Sequence, residues 1–237
     1  MRTKKYFWQS RGIFPAITTT IGSDWKEKMK EADNLGLKDV CVFLTGLEKE
    51  ARREFYRLLE KTKIKRTPLV HIRTDMEPQE IEYFKRRFKA ETFNCHTPRE
   101  VGFSPDLKKY KKDFFIENTR FFAPGDENGF AGFCIDFSHL ESARLMNPQT
   151  YKKWTDVFKG SLIGCNHISA IRKQPETDPY GFASYDSHLA KNFGEFDYLE
   201  RYPAGYFSSV MALELENTLA EQLKIIEHVN KLLKNKK

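Results

Sequence analysis

Short apolar runs alternate with amphipathic stretches along the chain. Eight runs rich in Val, Ile, Phe, Leu and Cys stand out, at 14–21, 39–44, 68–72, 92–96, 113–117, 132–137, 162–168 and 210–216. Most are continuous rather than alternating, the pattern of strands covered on both faces in a parallel sheet. Helical spacing fills the gaps. Trp25, Met29, Ala32 and Leu35 share a face, with Asp24 as N-cap and Gly36 as stop. Leu47, Ala51, Phe55 and Leu58 share another. Pro78 opens a helix carrying Ile81, Phe84 and Phe88, and Pro148 opens one carrying Trp154 and Phe158. Thr218 and Glu221 form a capping box, after which Leu219, Leu223, Ile226, Val229 and Leu233 run toward the end.

Eight strands with intervening helices predict a (β/α)8 TIM barrel, a single domain spanning residues 1–237. Two stretches depart from it. The segment TRFFAPGDENGFAG reads as a loop, so the helix after strand five is expected to be missing. Residues 172–204 are rich in Pro, Gly and Tyr and lack periodicity; a long irregular segment in a compact domain is disordered or functional.

Composition narrows the class. Of 237 residues, 40% are hydrophobic and 31% charged, which fits a globular enzyme and excludes a disordered chain. No run approaches the length of a spanning helix, and MRTKKYFWQSRG lacks the apolar core of a secretory signal, so no membrane partner is expected. Cys41, Cys95, Cys134 and Cys165 lie far apart inside apolar runs. They predict buried thiols in a reducing, cytoplasmic setting. The net charge of +7 admits a phosphorylated or polyanionic partner but is mild. The runs KRRFK and KYKK fall on helices or on loops entering strands, away from the expected site, and read as solvated surface.

Chemistry in such barrels sits at the C-terminal ends of the strands. Reading those ends in order gives His71, His96, Glu117, Asp136 with His139, His167, and Glu214 with Glu216; the irregular segment adds Asp186 and His188. Five of the six histidines fall at these places; the sixth, His228, lies in the last helix. Imidazoles and carboxylates gathered on one rim suit a divalent ion, which also relieves the repulsion among buried carboxylates. Cys134 and Cys165 share the inward parity but lie one pleat deeper.

The elements AGFCIDFSH with Asp136 and His139, FFIENT with Glu117, GCNHIS with His167 and ALELENT with Glu216 resemble those of the xylose isomerase-like TIM barrels. That superfamily contains sugar isomerases, sugar epimerases and endonuclease IV-type apurinic/apyrimidinic endonucleases. PLVHIRTD with His71, FNCHTP with His96 and YDSHLAKNFGEF with Asp186 and His188 resemble the endonuclease IV branch. The resemblance runs from His71 to Glu216. It implies nine metal ligands: His71, His96, Glu117, Asp136, His139, His167, Asp186, His188 and Glu216. Two or three Zn²⁺ are expected, with Glu117 and Glu216 catalytic. Arg73, Arg120, Arg172 and Lys173 then lie in rim loops as phosphate-binding donors.

Two activities follow as expectations. One is metal-dependent hydrolysis of phosphodiesters or phosphate esters, on a small phosphorylated substrate or on abasic-site DNA. The alternative is sugar or sugar-phosphate isomerisation or epimerisation, with one Mn²⁺ or Mg²⁺ on Glu117, Asp136, His167 and Glu216 and with Glu117 and Glu216 moving the proton. The loops after strands two and three are short, which weighs against a duplex DNA partner.

Overall fold

The computed structural model describes residues 12–20, 22–100, 102–177 and 181–234. Nine parallel strands form one sheet: β1 Gly12–Phe14, β2 Ala16–Ile17, β3 Cys41–Phe43, β4 Leu69–His71, β5 Thr92–Cys95, β6 Phe115–Glu117, β7 Gly132–Asp136, β8 Ile163–Ile168 and, late in the chain, β11 Val210–Leu213. β1 pairs with β11 and β2 pairs with β3, so the two edges of the sheet belong to one strand interrupted at Pro15. The sheet thereby closes as an eight-stranded α/β TIM barrel. Each of the eight apolar runs contains one of its strands.

The break at Pro15 has a local cause and a local remedy. Proline has no N–H to give the ladder. Its carbonyl still accepts from Cys41 N at 2.9 Å. The following residue, Ala16, donates to Gln222 Oε1 at 2.8 Å and accepts from Gln222 Nε2 at 3.1 Å. Gln222 lies on helix α7, Leu219–Leu233, and is fully buried. The expected capping box of Thr218 and Glu221 is present, but the buried face is Leu219, Gln222, Ile225, Val229 and Leu233, rotated from the purely apolar stripe. A glutamine takes a core position because four backbone groups need it.

The other helices lie where their patterns place them, although the first two bury faces that differ in part from the expected ones. Helix α1, Trp25–Asn34, is capped by Asp24 and followed by Gly36 in a left-handed conformation, although Leu35 is exposed and Lys28 is buried instead. Helix α2, Lys49–Leu59, buries Phe55 and Leu59 together with Arg52, whose guanidinium meets Glu80 at 2.8 Å. Helix α3, Pro78–Phe88, buries Ile81, Phe84 and Phe88. A four-residue helix α4, Pro105–Lys108, follows β5, and no helix lies between β6 and β7 among the described residues. Helices α5, Phe137–Met146, and α6, Pro148–Phe158, follow β7.

Residues 172–204 hold more order than their composition predicts. An antiparallel hairpin, β9 Ala170–Thr177 and β10 Ala183–Ser187, leaves the barrel at the end of β8. A 3-10 helix, Phe193–Arg201, follows the hairpin. The hairpin leans on α5, where Ser142 Oγ meets Ser184 Oγ at 3.1 Å and accepts from Tyr185 N at 3.1 Å.

The lumen is filled by Ala16, Cys41, Phe43, Leu69, Phe115, Cys134, Cys165, Val210 and Ala212. Larger apolar clusters lie between sheet and helices. All four cysteines are free and buried. No helix among the described residues is long and apolar enough to cross a membrane.

Candidate metal centre

Strand parity builds the centre. Leu69 points into the lumen and so does His71; Phe115 is followed by Glu117, Cys134 by Asp136, Cys165 by His167, and Val210 and Ala212 by Glu214. At the C-terminal end of each of the last six barrel strands a polar residue therefore sits above the apolar plug, His96 one residue past β5 and Glu214 one residue past β11. His71, Glu117, Asp136, His167 and Glu214 are buried, whereas His96, His139, Asp186 and His188 are partly exposed toward the mouth.

Glu117 lies at the centre. Its Oε2 is 3.3 Å from His167 Nδ1 and 3.6 Å from His71 Nε2, while Oε1 is 3.5 Å from His139 Nδ1. His167 Nδ1 is also 3.1 Å from Glu214 Oε2 and 3.8 Å from Asp136 Oδ2. At the outer edge Asp186 Oδ2 is 3.6 Å from His139 Nε2 and 3.5 Å from His188 Nε2. One ligand atom from each of Glu117, Asp136, His167 and Glu214 falls within a 4.8 Å group, and so does one from each of His71, His96 and Glu117. Cys134 also forms such a group with Glu117 and His167.

The surroundings aim these donors. Asp136 caps α5, accepting from His139 N at 2.8 Å and from Ser138 Oγ at 2.6 Å with one oxygen. Its other oxygen is buried without a hydrogen-bond partner among the described residues. Asn94 Nδ2 donates to Glu117 Oε2 at 3.2 Å. Phe43 sets its ring edge-on to His71 and His167, with centroids 5.4 and 4.8 Å away.

Among the described residues, buried nitrogen and oxygen atoms without hydrogen-bond partners recur across the cluster: both nitrogens of His71, His167 Nε2, His139 Nδ1, Asp136 Oδ2 and Asp186 Oδ1. A buried polar atom left unpaired costs about 1–3 kcal/mol, and these atoms converge. The donor set fits divalent cations, which would take one nitrogen from each ring together with the carboxylate oxygens.

Protonation in the ion-free protein reflects the same crowding. Burial, then the neighbouring imidazoles of His96 and His167, holds the His71 pKa well below the ordinary histidine value. Burial, then the charges of Glu214 and Asp136, pushes the Glu117 carboxyl well up. For His188 burial opposes the charged form, but Asp186 and Glu214 prevail and raise it to about 10. For Asp186 burial is likewise outweighed, by His188 above all, and the carboxyl falls to about 2. Glu214 is lowered to about 2, with His188 and His167 overcoming its burial.

Eight of the nine expected ligands come together in this way. Glu216 does not; the last strand brings Glu214 instead. The two share parity, but the chain turns after Leu215, whose carbonyl accepts from Lys28 Nζ at 2.7 Å, Gln222 Nε2 at 3.1 Å and Thr18 Oγ1 at 3.2 Å. Glu216 is left at the rim, accepting from Thr20 Oγ1 at 3.1 Å.

The basic residues expected to bind phosphate are mostly committed elsewhere. Arg73 pairs with Asp75 and Glu48. Arg172 is buried, holding Glu195 at 2.6 Å and Ser187 Oγ at 2.8 Å. Lys173 lines an outer depression of about 340 Å³ beside Arg144 and Arg201, which shares no lining residue with the cluster. Arg120 stacks over Phe182 at 4.2 Å, joining the loop after β6 to the hairpin. Sequence reasoning missed Asn94 and Glu100; the latter sits 3.1 Å from His96 Nδ1. A polar residue in an otherwise apolar strand was the available sign of Asn94.

The fold and this cluster define a parallel β/α barrel with an imidazole–carboxylate centre at its C-terminal mouth. Solved structures similar to the chain are xylose isomerase-like TIM barrel proteins. One from Mycobacterium smegmatis, in complex with magnesium, is 14% identical over 95% of this chain and 98% of that one, with a TM-score of 0.45. A xylose isomerase domain protein from Alicyclobacillus acidocaldarius subsp. acidocaldarius is 14% identical over 94% and 99% of the two chains, with a TM-score of 0.46. Another from Planctomyces limnophilus is 12% identical over 96% and 98%, with a TM-score of 0.45. No family model and no curated protein matches the chain. The fold assignment rests on the strand order and register.

Proposed function

We propose that the chain is a divalent-metal-dependent hydrolase of phosphodiester or phosphate-ester bonds, with Zn²⁺ as its first-choice ion and more than one ion per chain. The placement of Glu117 carries the reading. Its two oxygens face different imidazoles, His71 and His167 on one side and His139 on the other. A carboxylate so placed suits a bridge between two ion positions. His71, His96, Asp136, His139, His167, Asp186, His188 and Glu214 complete the set, with Glu214 taking the place given to Glu216 by sequence resemblance. Ions held there would lower the pKa of water toward 7 and neutralise charge on phosphate oxygens.

The chain's own residues supply the rest. Glu117, whose carboxyl is pushed up by burial and by Glu214 and Asp136, would give up its proton to ions held there and, as a carboxylate, orient the attacking water. Asn94 keeps the Glu117 carboxylate oriented. Glu216 faces substrate from the rim, with Thr20 fixing one oxygen. Arg120, beside the hairpin, provides the cation nearest in sequence to Glu117. The loops after β3 and β4 are short, which favours a small phosphodiester over duplex DNA. Four buried thiols suit a cytoplasmic setting.

The test is ion stoichiometry together with turnover of bis(p-nitrophenyl) phosphate and of an abasic duplex oligonucleotide. Two or three zinc ions per chain, with one lost on His188→Ala, and hydrolysis of the small ester support the proposal. The compact group Glu117, Asp136, His167 and Glu214 favours a second reading, sugar isomerisation on one ion. A single Mn²⁺ or Mg²⁺, unaffected by His96→Ala and His188→Ala, with aldose–ketose interconversion and no ester hydrolysis, would replace the first reading by the second.

A further inference from the structure

His96 is supplied by the turn beyond β5 rather than by the strand itself, so something must hold its ring. The turn is closed by Glu100 N donating to Thr97 O at 3.0 Å. It is braced from the loop after β6, where Asp126 accepts from Thr97 Oγ1 at 3.0 Å and from Arg99 Nε at 2.7 Å. This geometry returns the Glu100 carboxylate to the imidazole, with Oε1 3.1 Å from His96 Nδ1. One ring nitrogen is thereby engaged, and His96 also offers a ligand atom to the group formed with His71 and Glu117. The His71 and His96 rings stand edge to face, with centroids 4.7 Å apart.

We infer that Glu100 is a positioning residue that fixes the His96 tautomer, holding the proton on Nδ1 and turning the Nε2 lone pair toward the ion position shared with His71 and Glu117. A histidine whose far N–H is held by a carboxylate is a more basic and better oriented ligand, and loss of such a partner costs about 10–100-fold in metal affinity. Glu100 is placed to do this by covalent proximity: four residues after His96, in a turn locked to a second loop, it needs no distant element to find the ring. The inference rests on the metal-centre reading above.

The test compares the full-length protein with Glu100→Ala and Glu100→Gln. Zinc affinity and stoichiometry are read by competition with a chromophoric chelator, and the His96 Nδ1–H resonance by ¹⁵N-edited NMR. Glutamine keeps an acceptor oxygen, so it is expected to retain the resonance and most of the affinity. Alanine is expected to lose the resonance and to weaken one zinc ion by about 10–100-fold, leaving the others unchanged. Thermal melts confirm that both variants fold. Unchanged zinc binding in Glu100→Ala, or a glutamine variant as weak as alanine, overturns the inference. Should the parent protein bind no zinc, the metal-centre reading fails, and the resonance decides the tautomer claim by itself: its persistence in Glu100→Ala refutes it.

Discussion

At the scale of single residues, the contrast between Glu214 and Glu216 shows how a two-residue period leaves a choice that only the backbone makes. Both side chains have the lumen parity, and ALELENT alone does not separate them. Three donors on the Leu215 carbonyl turn the chain between them, and the inner carboxylate joins His167. Glu214→Ala is therefore expected to remove or weaken an ion by at least about 10-fold, by analogy with losing one ligand-orienting partner. Glu216→Ala should leave stoichiometry intact and act on substrate turnover. Equilibrium dialysis of both variants against zinc distinguishes them, and equal ion loss would return Glu216 to the ligand set.

Proton competition is a second residue-scale consequence. His188 is raised to about 10 in the ion-free protein, so at neutral pH it carries a proton that an incoming ion must displace. Zinc affinity is expected to climb with pH from 6 to 9, with proton release on binding seen as a buffer-dependent calorimetric enthalpy. Stability of the ion-free form moves oppositely on the alkaline side. A histidine raised in the folded state stabilises fully below its unfolded pKa of about 6.5 and loses that contribution as pH rises through about 10. Asp186, lowered to about 2, contributes above its unfolded value and is lost as pH falls toward 2. Melting of the ion-free protein should thus decline between pH 6.5 and 10, and His188→Ala should flatten that decline.

Among elements, the first strand and the hairpin carry the informative departures from pattern. Apolar continuity located every barrel strand, because strands covered on both faces have little freedom in composition. It did not reveal that Pro15 splits the first strand, nor that Gln222 is the compensating residue, since glutamine on an amphipathic helix normally faces water. Gln222→Ala would strand the Ala16 N–H and uncover the carbonyls of Ala16 and Asn217. With about 1–3 kcal/mol for each buried group left unsatisfied and partial repair by water, a loss of about 2–4 kcal/mol is expected in urea unfolding. The hairpin escaped notice for the opposite reason. Most of β9 faces solvent, so its residues carry no apolar signature. Arg172 was read as a phosphate donor because it lies near the rim, yet its burial against Glu195 makes it a brace. Arg172→Ala is expected to cost about 3–5 kcal/mol, the penalty for leaving a buried partner charge alone, with little effect on substrate KM. A large KM rise at unchanged stability would restore its role as a phosphate donor.

For the whole molecule, the centre is assembled from six barrel strands, the first turn of α5 and the hairpin, and its legibility follows from the architecture. A closed parallel barrel sends every strand's C-terminal end to one mouth, so residues more than a hundred positions apart in the chain are forced together by topology. That made the His71, Glu117, Asp136 and His167 positions readable without knowing any contact. Interactions set by side-chain reach, such as Lys28 on Leu215 or Glu100 on His96, left no such trace. The same architecture governs access. The hairpin and the Arg120–Phe182 contact build up one side of the mouth, while the loops after β3 and β4 stay low on the other. On the proposed reading, such a mouth takes a compact ester in preference to a duplex. Accordingly, the protein is expected to hydrolyse bis(p-nitrophenyl) phosphate with weak dependence on salt. Binding to an abasic duplex, read by fluorescence anisotropy, should show only the shallow affinity and steep salt slope of nonspecific phosphate contact. Tight, abasic-selective binding at physiological salt would show instead that a deep loop insertion is not needed for this barrel to take DNA.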